Sequence, residues 1–356
     1  TGSFRGFSPC RPGAKEESVA QRKHPLADKL DRDALLKMYR QLVLIRRFEE
    51  RSAQQYSLQK IAGFCHLYIG QEAVAVGVEA AMRPDDYLVT AYREHGQILA
   101  RGTPSGPVMA ELFGKATGVA KGKGGSMHLY DVSRHMYGGW GIVGAQIPLA
   151  LGMAYSSKYR EDGRVTVCLF GEAAVNQGAF HEALNMAAIW KVPAVFICEN
   201  NRYGMGTPIS VSSAVTEVYK RAAAYDIPGE PCDGMDTLDT MEVVKRAVDR
   251  ARAGEGPTLI EARTYRFRGH SMSDPAVYRT REEVERERKN DPIPKLAKYI
   301  KSRKLATDED FEKIAEDVEN EVAEAIKFAD ESPWPDPSEL YTDVYVDPIW
   351  PEKVNA

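Results

Sequence analysis

A carboxylate set between small residues at the end of an apolar run can hold a cation. The stretch GEAAVNQGAF, Gly171 to Phe180, follows the run RVTVCLF and precedes HEALNMAAIW. Glu172 offers oxygen there, and Asn200, Asn201 and Tyr203 offer more after the next apolar run, VPAVFIC. Tyr92, Arg93 and His95 close a third run; Arg266, Arg268 and His270 follow a fourth. The oxygens suit a hard cation, and the guanidinium and imidazole groups suit an anion. A magnesium-bridged diphosphate matches both halves, because Mg²⁺ takes a few protein oxygens together with phosphate oxygens. Each group alone has a plainer reading. Glu172 would complement a helix N-terminus, the asparagines would be turn residues, and Arg266 to His270 would be a basic surface loop. Their joint placement is what points to a site.

The elements that must position these residues are legible in the periodicity. RVTVCLFG and VPAVFICENN are near-continuous apolar runs, as expected of parallel strands covered on both faces. NQGAFHEALNMAAIWK between them reads as a helix, which makes a β-α-β unit whose strand ends lie together. DYLVTAY reads as a short buried strand, and MEVVKRAVDRARAG followed by PTLIEARTYRF as a second crossover. Leu35, Met38, Leu42, Ile45 and Phe48 recur at helical spacing after Asp31. The lysine- and glycine-rich GKATGVAKGKGG reads as a loop and YGGWGIVGAQIP as another glycine-rich stretch, feeding the helix ALGMAYSSKYR. Asp308 to Glu331 reads as an amphipathic helix, and the proline-rich SPWPDPSELYTDVYVDPIWP as a tail wrapping a surface. The expected architecture is α/β: a doubly wound, mostly parallel sheet with helices on both faces, plus helical extensions at both ends. Residues 1–28 would be a flexible arm, 29–300 the α/β domain and 301–356 the extension and tail. In such sheets ligands bind beyond the carboxyl ends of the strands, where the residues above fall.

Composition narrows the function classes. The chain has 356 residues, 43% hydrophobic and 28% charged, with net charge −4. That balance calls for neither nucleic acid nor an anionic membrane, and the apolar stretches are strand-sized, so no membrane span is expected. The five cysteines, Cys10, Cys65, Cys168, Cys198 and Cys232, are odd in number and scattered, which reads as free thiols in a reducing compartment. The first residues carry no apolar core of a secretory signal. The spacings GxxxxGK[ST], GxGxxG, GxSxG and HExxH do not occur, which argues against a Walker site, a nicotinamide fold, a serine-hydrolase elbow and a zinc protease.

The motifs GFCHLYIGQEA, TAYREHG, GKGGSMHLY, YGGWGIVGAQ, ENNRYGMGTP and YRFRGHSMSDPAVYRTREE resemble thiamine diphosphate enzymes, specifically the alpha subunit of the pyruvate dehydrogenase decarboxylase component. The resemblance covers everything after the N-terminal arm. It implies thiamine diphosphate and Mg²⁺ as cofactors, with Glu172, Asn201 and the Tyr203 carbonyl on the metal. It places Tyr92, Arg93 and His270 on the diphosphate, the Gly141 and Val143 backbone on the aminopyrimidine, and Gly171, Ala173 and Ala174 in the cofactor turn. His66 and His270 would line the pocket where a small 2-oxo acid reacts. The implied reaction is oxidative decarboxylation of pyruvate, the two-carbon unit passing to a lipoyl group on an acyltransferase core. A separate beta subunit would complete the site in an α2β2 heterotetramer.

The family pattern at 171–173 is Gly-Asp-Gly, and this chain has Gly171-Glu172-Ala173. Glutamate is one methylene longer, and Mg²⁺ demands tight octahedral geometry at about 2.0–2.1 Å. An alanine adds a Cβ near the diphosphate and restricts φ. These changes are expected to weaken cofactor binding without abolishing it. The position matching Ser271 is a phosphorylation site in mitochondrial relatives, where phosphate would repel the cofactor diphosphate. Two further serines of those relatives are absent, with Pro208 at one position and PAVYR shortened at the other, so a bacterial cytoplasmic enzyme is expected over a mitochondrial matrix one. The open alternatives are an acetoin or branched-chain 2-oxo acid dehydrogenase alpha subunit, and a catalytically impaired alpha homologue.

Overall fold

The apolar runs become strands of one sheet. The computed structural model describes residues 24–346; residues 1–23, with Cys10 and most of the expected arm, and residues 347–356 of the tail lie outside them. Residues 26–28 pack on the body: Ala27 is buried, and the Leu26 and Ala27 N–H groups donate to Glu242 at 2.9 and 3.3 Å.

Helix α1 (Arg32–Ser57) starts where Asp31 accepts from the Ala34 N–H at 2.8 Å, the side-chain cap that aspartate favours. Then come α2 (Glu72–Ala81), β1 (Tyr87–Ala91), α3 (His95–Ala100), α4 (Ser105–Leu112), β2 (Met136–Trp140) and α5 (Gln146–Arg160). The predicted β-α-β unit follows as β3 (Thr166–Gly171), α6 (Gly178–Trp190) and β4 (Ala194–Asn200). A two-rung antiparallel ladder, β5 (Tyr203–Gly204) with β6 (Thr207–Pro208), leads to the single turn α7 (Ile209–Ser212). The second crossover is β7 (Gly229–Asp233), α8 (Thr237–Arg252) and β8 (Thr258–Arg263), and α9 (Arg281–Arg288), α10 (Pro292–Ser302) and α11 (Asp308–Glu331) complete the order.

The main sheet has six parallel strands in the order β2-β1-β3-β4-β8-β7. Alternate residues of a strand serve opposite faces. Val167, Leu169, Val195 and Ile197 join the core under α1, α2, α4 and α8, while Cys168, Phe170, Phe196 and Cys198 join the core under α5 and α6. The runs are continuous in apolarity because both faces are covered. From β1 the chain goes outward to β2, then returns to β3 on the other side, so the topological switch lies between β1 and β3. That is where a cleft opens beyond the strand ends.

Two strands of the main sheet were not legible in the sequence. The strand β2, Met136–Trp140, runs into the glycine-rich stretch YGGWGIVGAQIP, and β7, Gly229–Asp233, contains Pro231. Both are edge strands, paired on one side only, where glycine and proline are tolerated. Gly138 has φ +86, and a Cβ there would meet the Tyr130 ring at 2.0 Å.

The glycine-lysine loop after α4 is closed around its own carboxylate. Glu111, fully buried, accepts from the N–H groups of Ala120 and Gly122 at 2.8 Å each, and of Gly124 at 2.7 and Gly125 at 3.1 Å. The tail lies over the outside of this loop: Ala116 N–H donates to the Pro333 carbonyl at 3.0 Å, and Lys115 sits 3.9 Å from the Trp334 ring centre. Lys121 and Lys123 pair with Asp343 at 2.8 Å. The described cysteines are all buried and free, and among the described residues no helix is long and apolar enough to cross a membrane.

Candidate active site

The cleft at the switch point has a volume of about 370 Å³. Residues after β1 (Tyr92, Arg93), after β3 (Glu172, Ala173, Ala174), at the end of and after β4 (Glu199, Asn201, Tyr203) and after β8 (Arg266, His270) line it together. Four strand ends separated widely in sequence thus converge, as the strand-end pattern predicts.

Its charge distribution is unusual. Arg93 and Arg266 are both buried, yet neither forms an ion pair with a described residue. Arg93 donates to the carbonyls of Leu67 and His270, at 2.7 Å each. Burial first, and then the Arg266 charge, bring the Arg93 guanidinium down to about 10, so it stays charged at neutral pH. Buried cations without a counter-charge are costly, and the cleft is therefore built for an anion.

Beside them stand two buried carboxylates at the ends of neighbouring strands, Glu172 just past β3 and Glu199 near the end of β4, because the ladder sets Gly171 opposite Glu199. Glu172 is 3% exposed. One of its oxygens accepts from the Asn201 N–H at 3.3 Å, and the other has no hydrogen-bond partner among the described residues. Burial raises its pKa against the opposing pull of backbone N–H groups, Arg266 and Arg93. Glu199 accepts from the Tyr68 hydroxyl and from Gln97 at 3.2 Å; burial lifts it to about 7.

Asn201 and Tyr203 bring their oxygens to the same place. Arg266 approaches the Asn201 side-chain oxygen at 3.4 Å and the Tyr203 carbonyl at 3.5 Å, both long for hydrogen bonds. A guanidinium thus lies against the oxygens from which a metal ion would be bound. An unpartnered carboxylate oxygen, an amide oxygen and a backbone carbonyl are a hard-cation donor set, and these residues fit Mg²⁺. Among the described residues no group of three or more His, Cys, Asp or Glu side chains is arranged for a metal; the set here is of the other kind, with a single carboxylate.

The two histidines meet. His66 and His270 rings are 5.0 Å apart and nearly perpendicular, and His66 packs on Tyr92 at 4.6 Å. Burial first and Arg93 second push His66 down to about 2 and His270 to about 4. Both are neutral at pH 7, so each presents one N–H and one acceptor nitrogen. The Nδ1 of His66 has no partner among the described residues.

Other residues of the strand-end set turn away. His95 opens α3 and points into the core, with Glu49 at 2.8 Å and the Ser126 hydroxyl at 2.9 Å. Asn200 donates to Glu261 at 2.7 Å, and Arg268 lines a different cavity, as does Ser271. Val143 belongs to the cleft wall and Gly141 does not; a Cβ on Gly141 would meet the His128 ring at 3.1 Å. Gly171 lines the cleft with open space around it. Ala173 has no positive φ; it sits in the 3-10 turn Glu172–Asn176. The expected backbone restriction therefore does not arise, because this turn has a conformation that any residue adopts. Its Cβ instead lies beside Gly204, where a second Cβ would come within 2.8 Å. Sequence reasoning missed Gln71, which accepts from the Asn201 amide at 2.9 Å, and Glu199; an acid inside the otherwise apolar run of β4 was the signal for the latter.

The family model for the dehydrogenase E1 component matches residues 40–338. The chain is 50% identical over 318 residues to the pyruvate dehydrogenase E1 component subunit alpha of Zymomonas mobilis, covering 89% of this chain and 90% of that one. It is 48% identical over 310 residues to the protein of the same name from Rhizobium meliloti, covering 87% and 89%. A testis-specific, mitochondrial form from Rattus norvegicus is 48% identical over 323 residues, covering 90% and 82%. With a single model spanning the whole sheet and every strand end of the cleft, this chain belongs to the dehydrogenase E1 component family.

Proposed function

We propose that the chain is the alpha subunit of a pyruvate-decarboxylating dehydrogenase that uses thiamine diphosphate and Mg²⁺. The observation that carries this reading is the pairing of two buried guanidiniums without an ion pair among the described residues with a buried carboxylate oxygen without a donor among them. An anion and a cation bound together satisfy both, and the relatives' names support the alpha-subunit part of the reading. Glu172, Asn201 and the Tyr203 carbonyl would hold the metal; Tyr92, Arg93 and His270 would hold the diphosphate. Bound there, thiamine diphosphate supplies the electron sink for loss of carbon dioxide from a 2-oxo acid. The protein's own contribution is orientation and electrostatics. Arg93 provides fixed charge in a site shielded from water, where it acts strongly. His66 and His270, neutral and in contact, can accept a proton at one nitrogen while holding another at the second.

The exposed Val143 in the cleft wall and the exposed Ile142 beside it in sequence suit completion by a beta subunit in an α2β2 assembly, with transfer to the lipoyl group of an acyltransferase core. A bacterial cytoplasmic setting is favoured over the mitochondrial matrix by Pro208 and the shortened PAVYR. The turn Gly171-Glu172-Ala173 is an altered cofactor turn that still works, since the carboxylate remains in the cleft and Ala173 is unstrained. Calorimetric titration of thiamine diphosphate with Mg²⁺ into the alpha-beta complex tests this, beside a Glu172→Asp, Ala173→Gly variant. Saturable binding in both is expected, tighter in the variant. Binding in the variant alone would make this chain an inactive scaffold.

A further inference from the structure

The loop after β8 separates two cavities. Arg266 and His270 face the cleft, whereas Arg268, Ser271 and Met272 line a second cavity of about 470 Å³ that shares no lining residue with it. Four arginines line this second cavity: Arg268, Arg279, Arg281 and Arg288. The guanidiniums of Arg268 and Arg281 make no hydrogen bond or ion pair with any described residue. Arg279 is 9% exposed. It donates to the carbonyls of Arg266 and Arg268, has no carboxylate partner among the described residues, and its buried Nε has no acceptor there.

Two acids share the lining, and both are already engaged. Asp274 accepts from the His270 N–H at 2.6 Å, and from the Ala276 N–H and the Tyr278 hydroxyl at 2.8 Å each. Glu285 lies 3.6 Å from Arg288. Three guanidiniums around one hollow are therefore left without an ion pair among the described residues, which is what a multiply charged oxyanion requires. Leu67, Met272 and Val284 add apolar wall, so the space also suits an organic body attached to that anion.

We propose that this cavity is an anion site separate from the cleft, taking the phosphate of a small phosphate monoester on Arg268, Arg279 and Arg281. Occupancy steadies the loop that carries His270, because Arg279 already ties two of its carbonyls. A filled cavity therefore restrains the segment between Arg266 and Arg279 without touching the reacting groups.

The test uses the alpha-beta complex saturated with thiamine diphosphate and Mg²⁺, so that the cleft cannot take the probe. Phenyl phosphate and inorganic phosphate are titrated separately by calorimetry, against wild type and Arg268→Ala, Arg281→Ala. Saturable binding is expected, tighter for phenyl phosphate, and weakened about tenfold or more in the variant, equivalent to about 1.4 kcal/mol. Slower hydrogen exchange over residues 266–279 should accompany it. If the double variant does not fold, Arg281→Gln alone is expected to weaken phenyl phosphate binding in the same direction. Equal binding by wild type and variant, or a linear response only, an adventitious ion only, overturns the proposal. So does a variant that binds phenyl phosphate normally but loses transfer to a lipoyl domain, which would make the arginines a protein-docking surface.

Discussion

Two buried glutamates sit beside glycine-bearing stretches, and the chain treats them in opposite ways. Glu111 is surrounded by four backbone N–H donors supplied by its own loop, so the fold itself satisfies the carboxylate. Glu172 receives a single long bond from Asn201 and keeps one oxygen without a partner among the described residues. In sequence the first stretch, GKATGVAKGKGG, looks the more like an anion cradle. In three dimensions it is already filled, and the poorer-looking GEAA is the one left open. Unsatisfied polarity, more than glycine content, marks the place where a ligand belongs.

Replacing Glu111 with alanine should have the largest effect, because four partly buried backbone donors lose one fully buried acceptor together. We expect a loss of about 3–5 kcal/mol, read by thermal or denaturant unfolding; near-parental stability would mean the loop collapses without its anion. Gly118→Ala attacks the same nest from outside, since the new Cβ would lie 2.2 Å from the Glu111 oxygen and 2.8 Å from its backbone nitrogen. A cost of about 1–3 kcal/mol is expected in the same measurement, with no loss meaning that the loop can open.

Glu172→Gln should separate function from stability. The variant should fold within about 1 kcal/mol of the parent, while its affinity for thiamine diphosphate with Mg²⁺ falls at least about tenfold, or about 1.4 kcal/mol. Its pH profile sharpens the contrast. Burial raises the Glu172 pKa in the folded state, so the fold binds this proton more tightly than the unfolded chain does. The contribution of Glu172 is greatest below its unfolded pKa and declines as pH rises through the folded value. Glu172→Gln should flatten that decline in melting temperature; an unchanged slope would mean that another group carries it. Ala173→Gly is expected to do least: a destabilisation of about 0.5–1 kcal/mol from chain entropy, with cofactor affinity rising only a few-fold. A large gain in affinity would show that the Cβ beside Gly204 does obstruct the cofactor turn.

The central strands were legible because burial on both faces writes itself into unbroken apolar runs. The edges β2 and β7 were not, since an edge strand tolerates the glycines of MYGGW and the proline of GEPCD. The same distinction holds in the site. Tyr92, Arg93, Glu172, Asn201, Tyr203, Arg266 and His270 could be placed by counting from strand ends. His95 and Asn200 stand equally close to strand ends, but only tertiary partners, Glu49 and Glu261, decide that they face inward. The contact of His66 with His270 joins residues far apart in the chain, and no local pattern announces it.

The tail over the glycine-lysine loop has a consequence for handling the protein. Its last described fastening is made by exposed pairs of Lys121 and Lys123 with Asp343, while Glu111 underneath is shielded from solvent. The screening length in solution shrinks from about 10 Å at 0.1 M salt to about 3 Å at 1 M, so exposed pairs weaken at high salt while buried groups are screened much less. Ionic strength therefore works as a dial on this latch and not on the nest beneath it: at high salt the C-terminal segment should become accessible to proteases while the loop keeps its shape.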